Sequence, residues 1–197
     1  MKPRDWLELA AGTVAFLLGM FGGFLTGFTP PAHPVNTNNG FALGFGSFLM
    51  AGLLLVIVAA LRVVWRRVKP RTWLFVSIGF FVAFAIAAIV YHDYREAYSF
   101  PWPGPDGDLP MIAGDELTPA AAQIARELEE SGTTATPQVL LSEFGGPRQA
   151  YDVWPEAALD RVERRMELGY LVVLLTVSAA FFFVLEGVLP LIAPAKT

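Results

Sequence analysis

The chain has no cysteine and only two histidines, His33 and His92, in 197 residues. Without thiols there is no disulfide, no thiolate nucleophile and no cysteine-held metal, so any segment outside a membrane must fold without covalent bridges. The same absence removes thiol-dependent four-helix quinone reductases. Two histidines that fall at one side of a membrane cannot build a pair of transmembrane bis-histidine haems. An intramembrane serine protease also fails on inventory, because its general base would have to be one of those two rim histidines. His92-Asp93 reads as an interfacial polar pair, and neither a resident metal nor any other cofactor is expected.

Charge is scarce as well. Charged residues make up 16% of the chain and hydrophobic ones 54%, where a soluble domain carries about a quarter charged residues. The apolar residues gather into four runs, 6–28, 41–64, 73–91 and 168–192. Each is long enough for a hydrocarbon core of about 30 Å, and in lipid each must be a helix because only a helix satisfies its own backbone. The first run follows Lys2 and Arg4, but it holds Glu8 and ends in Gly-Phe-Thr-Pro-Pro without a small-residue cleavage site. It therefore reads as a retained span and not as a signal peptide.

The charge that remains is sorted along the chain. Arg62, Arg66, Arg67, Lys69 and Arg71 form a basic loop with no acid, whereas residues 95–160 carry twelve acids against three arginines. Short basic loops stay cytoplasmic, and long acidic segments can be translocated. The expected fold is an all-α integral membrane protein of the cell inner membrane. It has four transmembrane helices, both termini in the cytoplasm, and a small acidic extracytoplasmic helical domain between helices 3 and 4. Residues 1–94 hold three spans, 95–160 the acidic domain with its Pro-rich linker, and 161–197 a long helix that continues into the fourth span. The basic loop sets topology and touches anionic lipid, and no nucleic acid partner is expected.

Within the spans polar groups are few. Thr13, Thr26, Ser77 and Ser178 do not make a pathway. Glu186 and Arg62 lie at comparable depths near the cytoplasmic side, where an ionised group costs a few kcal/mol unless it is paired or snorkels, so an intramembrane ion pair is expected. Gly19, Gly23, Gly27, Gly40 and Gly44 supply small-xxx-small faces on the first two spans, which suit packing within the chain or between copies of it.

The acidic segment has its own grammar. Phe100-Pro-Trp-Pro-Gly-Pro-Asp-Gly-Asp108 alternates prolines that block a helix, which predicts an extended linker near the interface. Thr118-Pro119 and Thr136-Pro137 each offer a capping hydroxyl followed by a first-position proline, with Gly132 and Gly145-Gly146 as stops. A further helix should start near Pro155 and run unbroken into the fourth span for roughly 52 Å. The domain would then be joined rigidly to the fourth helix and flexibly to the third. Asp106, Asp108, Asp115 and Glu116 have the oxygen donors that calcium takes, but not the spacing of a calcium loop, and read as solvated acids. Asp115, Glu116, Glu127, Glu130, Phe144 and Trp154 are the candidate partner surface.

Three stretches, Gly114-Asp-Glu-Leu-Thr118, Leu140-Leu-Ser-Glu-Phe-Gly-Gly146 and Val153-Trp154, followed by an apolar helix, resemble a group of uncharacterised bacterial multi-span membrane proteins. In that group a Gly-x-Glu-Leu-Thr stretch, a Phe-Gly-Gly stretch and a Val-Trp pair precede the last span. Pro155 departs from the group, which tends to place a capping hydroxyl residue there. The resemblance carries over no activity of any kind, and some members of that group look like companions of bacterial signalling or defence modules. The expected role is a non-enzymatic membrane adaptor or accessory protein, whose acidic domain recognises a protein partner outside the bilayer. One alternative is an effector that oligomerises through the glycine faces and perturbs the membrane. Another is an ion-coupled transporter that uses Glu186.

Overall fold

The computed structural model describes residues 29–35, 70–104 and 107–192. The runs 6–28 and 41–64, with Gly19, Gly23, Gly27, Gly40, Gly44 and Arg62, lie outside the described residues, as does the side chain of Glu186. What is described is mostly helical, and two helices are long and apolar enough to cross a membrane.

The first of these, α1, is Pro70–Tyr98. Proline at the first helical position loses no hydrogen bond and is preset in φ. The helix runs seven residues past the apolar run that ends at Tyr91, because nothing in His-Asp-Tyr-Arg-Glu-Ala-Tyr breaks it. His92 and Glu96 face each other one turn apart across 3.8 Å on this exposed extension. It stops where Pro101 pushes Phe100 into extended backbone.

Here the all-helical expectation is corrected. Ser99–Gly104 (β1) and Gly107–Ile112 (β2) are an antiparallel hairpin, with Ser99 opposite Ile112 and Gly104 opposite Gly107. The prolines that forbid a helix do not forbid this ladder. Ala32 N–H donates to the Pro110 carbonyl (2.8 Å) and Ile112 N–H donates to the Ala32 carbonyl (3.1 Å), so residues 110 and 112 turn their backbone away from β1. By register, Pro101, Pro103 and Pro110 all occupy non-hydrogen-bonded pairs, where a missing N–H costs the ladder nothing. The stretch is therefore a paired ribbon, and it follows α1 with no flexible link between them.

Beyond the hairpin the Thr-Pro starts behave as the sequence predicts. Thr118 and Thr136 accept hydrogen bonds from Ala121 N–H and Val139 N–H, opening α2 (Pro119–Glu130) and α3 (Pro137–Glu143). Gly132 (φ +84°) follows α2, and Gly146 (φ +104°) lets the chain reverse after α3, conformations that favour glycine. A 3₁₀ turn, Pro147–Gln149, leads to the single turn α4 (Ala150–Val153).

The last helix, α5, is Glu156–Ile192, 37 residues without a break. Leu159, Val162, Met166, Tyr170, Val173, Val177 and Ala180 recur every three or four positions along it, and all are buried. That spacing puts them on one stripe. The first three join Ile112, Leu141, Val153 and Trp154 in the core of the module formed by the hairpin and small helices. The rest face α1, which runs antiparallel: Tyr170 lies beside Tyr91, Phe181 meets Phe81 edge-on, and Phe183 stacks on Trp73. Ser77 Oγ donates to the Ala180 carbonyl at 2.9 Å, which keeps a buried hydroxyl satisfied between the two helices. Away from this seam α1 is apolar and open, with Phe75, Ile78, Val82, Ile86, Ile89 and Val90 all exposed. A helix that is apolar all round suits a lipid environment or further helices, not water.

Gly169 is a point of close approach. A Cβ built there would sit 2.8 Å from Tyr91 Cδ2, whereas one on Gly79 would meet nothing within 4 Å. Gly169→Leu is expected to part α1 from α5 and to cost about 1–3 kcal/mol as an overpacking change. Gly79→Ala should leave stability unchanged or slightly higher. Thermal unfolding in detergent, followed by helical circular dichroism, checks both.

Candidate functional site

The three sequence stretches that stand out beyond residue 112 meet one another, and they meet as structure. A Cβ on Gly114 would come within 2.8 Å of three atoms of Trp154, so the absence of a side chain is what admits the indole. Trp154 is 2% exposed and lies 5.9 Å, centroid to centroid, from Phe100 of the hairpin. It is thus a core wedge and not part of a partner surface. Thr118 ties the first stretch to the last. Its N–H donates to the Val153 carbonyl (2.9 Å), and its hydroxyl donates to the Asp152 carbonyl while accepting from Ala121 N–H at the start of α2.

Asp115 also turns inward. Its side chain is 13% exposed and lies 3.2 Å from Arg161 Nη1 and 3.8 Å from Arg165 Nη1, both on α5. Glu116 reaches Arg161 more loosely, at 4.0 Å. These arginines bind the loop after β2 to the long helix. Phe144 is half-buried against the core. Of the predicted surface, Glu116 and, on α2, Glu127 and Glu130 remain exposed, with Glu127 held by Gln123 one turn earlier (Nε2 to Oε1, 2.9 Å).

A second cluster was not foreseen. The segment 29–35 is fastened to the free edge of β2 through Ala32, and His33 lies against the N-terminal part of α5. His33 is 4% exposed, and its ring lies 6.2 Å from that of Tyr151. Asp160 and Glu163, three residues apart on α5 and half-buried, complete the group. One ligand atom from each of His33, Asp160 and Glu163 lies within 4.8 Å of the other two. Val35 N–H donates to His33 Nδ1 at 3.2 Å, so the neutral ring carries its proton on Nε2. Partial burial, and then the negative charges of Glu156, Asp160 and Glu163, raise the pKa of the neighbouring Tyr151 phenol and keep it protonated. The sequence shows His33 only as one of two histidines expected at the rim of the membrane. Asp160-x-x-Glu163 at helical spacing was the visible half of the cluster, and its partner stands 127 residues earlier.

Thr118→Ala removes one cap and one tie between stretches, and is expected to cost about 1–2 kcal/mol. Glu130→Ala, on the exposed side of α2, should change stability by less than about 0.5 kcal/mol. Denaturant unfolding in detergent micelles separates the two. Compared with known proteins, the chain matches no family model, no curated protein and no solved structure, so its residues are read from their own packing and chemistry.

Proposed function

We propose that the protein is a non-enzymatic membrane adaptor, in which an acidic extracytoplasmic module recognises a protein partner and the bilayer-embedded helices hold that module in place. One observation carries the reading: α5 is a single helix whose outer half is the core of the module and whose inner half is a span-length apolar helix. A load on the module would reach the membrane segment through one rigid rod. The antiparallel pairing with α1, whose last residue leads straight into β1, supplies a second firm connection.

The charge sorting supports the orientation. Basic residues from Arg62 to Arg71 precede or begin α1 at one end of the α1–α5 pair, and the acidic module stands at the other. Two further spans, 6–28 and 41–64, belong to the same proposal, with both termini cytoplasmic and the segment 29–35 outside beside the hairpin. The recognition surface is α2. Its exposed face carries Glu127, Glu129 and Glu130, with Arg126 as its cation, and so favours a partner with a basic patch.

The test uses the lack of cysteine, since any introduced thiol is unique. Ser131→Cys is expected to react with a membrane-impermeant maleimide on intact cells, and Arg66→Cys only after permeabilisation. The reverse pattern overturns the orientation. Affinity purification in mild detergent should retain a partner that is lost on charge reversal at Glu127 and Glu130 together. Retention of the same partner by that variant, with folding intact, overturns the assignment of α2.

A further inference from the structure

We propose that His33, Asp160 and Glu163 form a site for one divalent cation of the zinc kind, held between the segment 29–35 and α5. One imidazole nitrogen and two carboxylate oxygens are a donor set that such borderline ions accept, and three protein ligands leave room for water. Bonds of roughly 2.0–2.2 Å to one ion put ligand atoms roughly 3–4 Å apart, inside the 4.8 Å within which these three atoms already lie.

Two observations set this cluster apart from the exposed acids of α2. The first is the depth of His33: a ring only 4% exposed is positioned by the backbone bonds of Ala32 and by Tyr151, and is turned toward two carboxylates from another element. The second is local charge. Glu156, Asp160 and Glu163 all act on Tyr151, so three carboxylates share one side of α5 next to a buried imidazole. A dication would be drawn to that side of α5, at the place where the ring can bind it.

Binding has an identifiable cost. Coordination through Nε2 requires the ring proton on Nδ1, against the Val35 N–H that now donates there. The ion would add a third tie between 29–35 and the module, from the crossover directly to α5. The bridge at Ala32 reaches only the hairpin.

The experiment uses the full chain in detergent micelles, stripped with a chelator and titrated with Zn²⁺ against a chromophoric competitor. One equivalent is expected, with a rise in unfolding temperature on saturation because the ion binds only the folded arrangement. His33→Gln, Asp160→Asn and Glu163→Gln should each weaken binding about tenfold or more, and Glu127→Gln should leave it unchanged. Circular dichroism establishes that each variant is folded; the two carboxylate variants, at half-buried positions, keep the test decisive if His33→Gln does not fold. Cobalt(II) substitution should give visible absorption that the same variants lose. No bound zinc in the intact protein overturns the proposal. Undiminished binding in the carboxylate variants overturns it equally.

Discussion

One apolar stripe on α5 organises everything else in the described protein. Because its residues return every three or four positions, the stripe keeps facing one way for more than twenty residues. In that length it passes from the interior of a small module into the seam with α1. The module has no covalent bridges and few residues of its own, so it could bury little apolar surface alone. By borrowing the outer turns of a long helix it gains Leu159, Val162 and Met166 as core. The cost of ordering the hairpin and the short helices is then offset by contacts with a helix whose other half is stabilised elsewhere.

Close approach follows from that dependence. Gly114 admits Trp154, Gly169 admits Tyr91, and the carbonyls of Asp152 and Val153 are satisfied by Thr118. Each contact joins elements far apart in the chain. The ion pairs of Asp115 with Arg161 and Arg165 act in the same direction; with the arginine side chains about half exposed they contribute geometry more than energy.

Local chemistry was readable in the sequence, and long-range pairing was not. Thr118-Pro119 and Thr136-Pro137 start helices because capping needs only the next three residues, and the unbroken run from Pro155 foretold α5 for the same reason. The hairpin was misread because alternating prolines carry two meanings. They exclude a helix at once, but whether they exclude a ladder depends on register, which a partner strand decides. Val153-Trp154 before an apolar helix suits either a surface aromatic or a wedge between the small helices and the long one, and the burial of Trp154 rests on the missing side chain at Gly114, forty residues away. His33 and its two carboxylates come together only through the bridge at Ala32, which no local pattern announces.

The prolines of the hairpin have one more effect. In β1 the backbone nitrogens turned away from β2 belong to Ser99, Pro101 and Pro103, and two of those three have no hydrogen to give. The opposite edge, on β2, is taken by Ala32. A ribbon held outside the helices would ordinarily invite other extended chains to join it, in aggregates or in recognition. This one offers an incoming strand carbonyls but few amide hydrogens along β1, so such a strand would find only half of a ladder there.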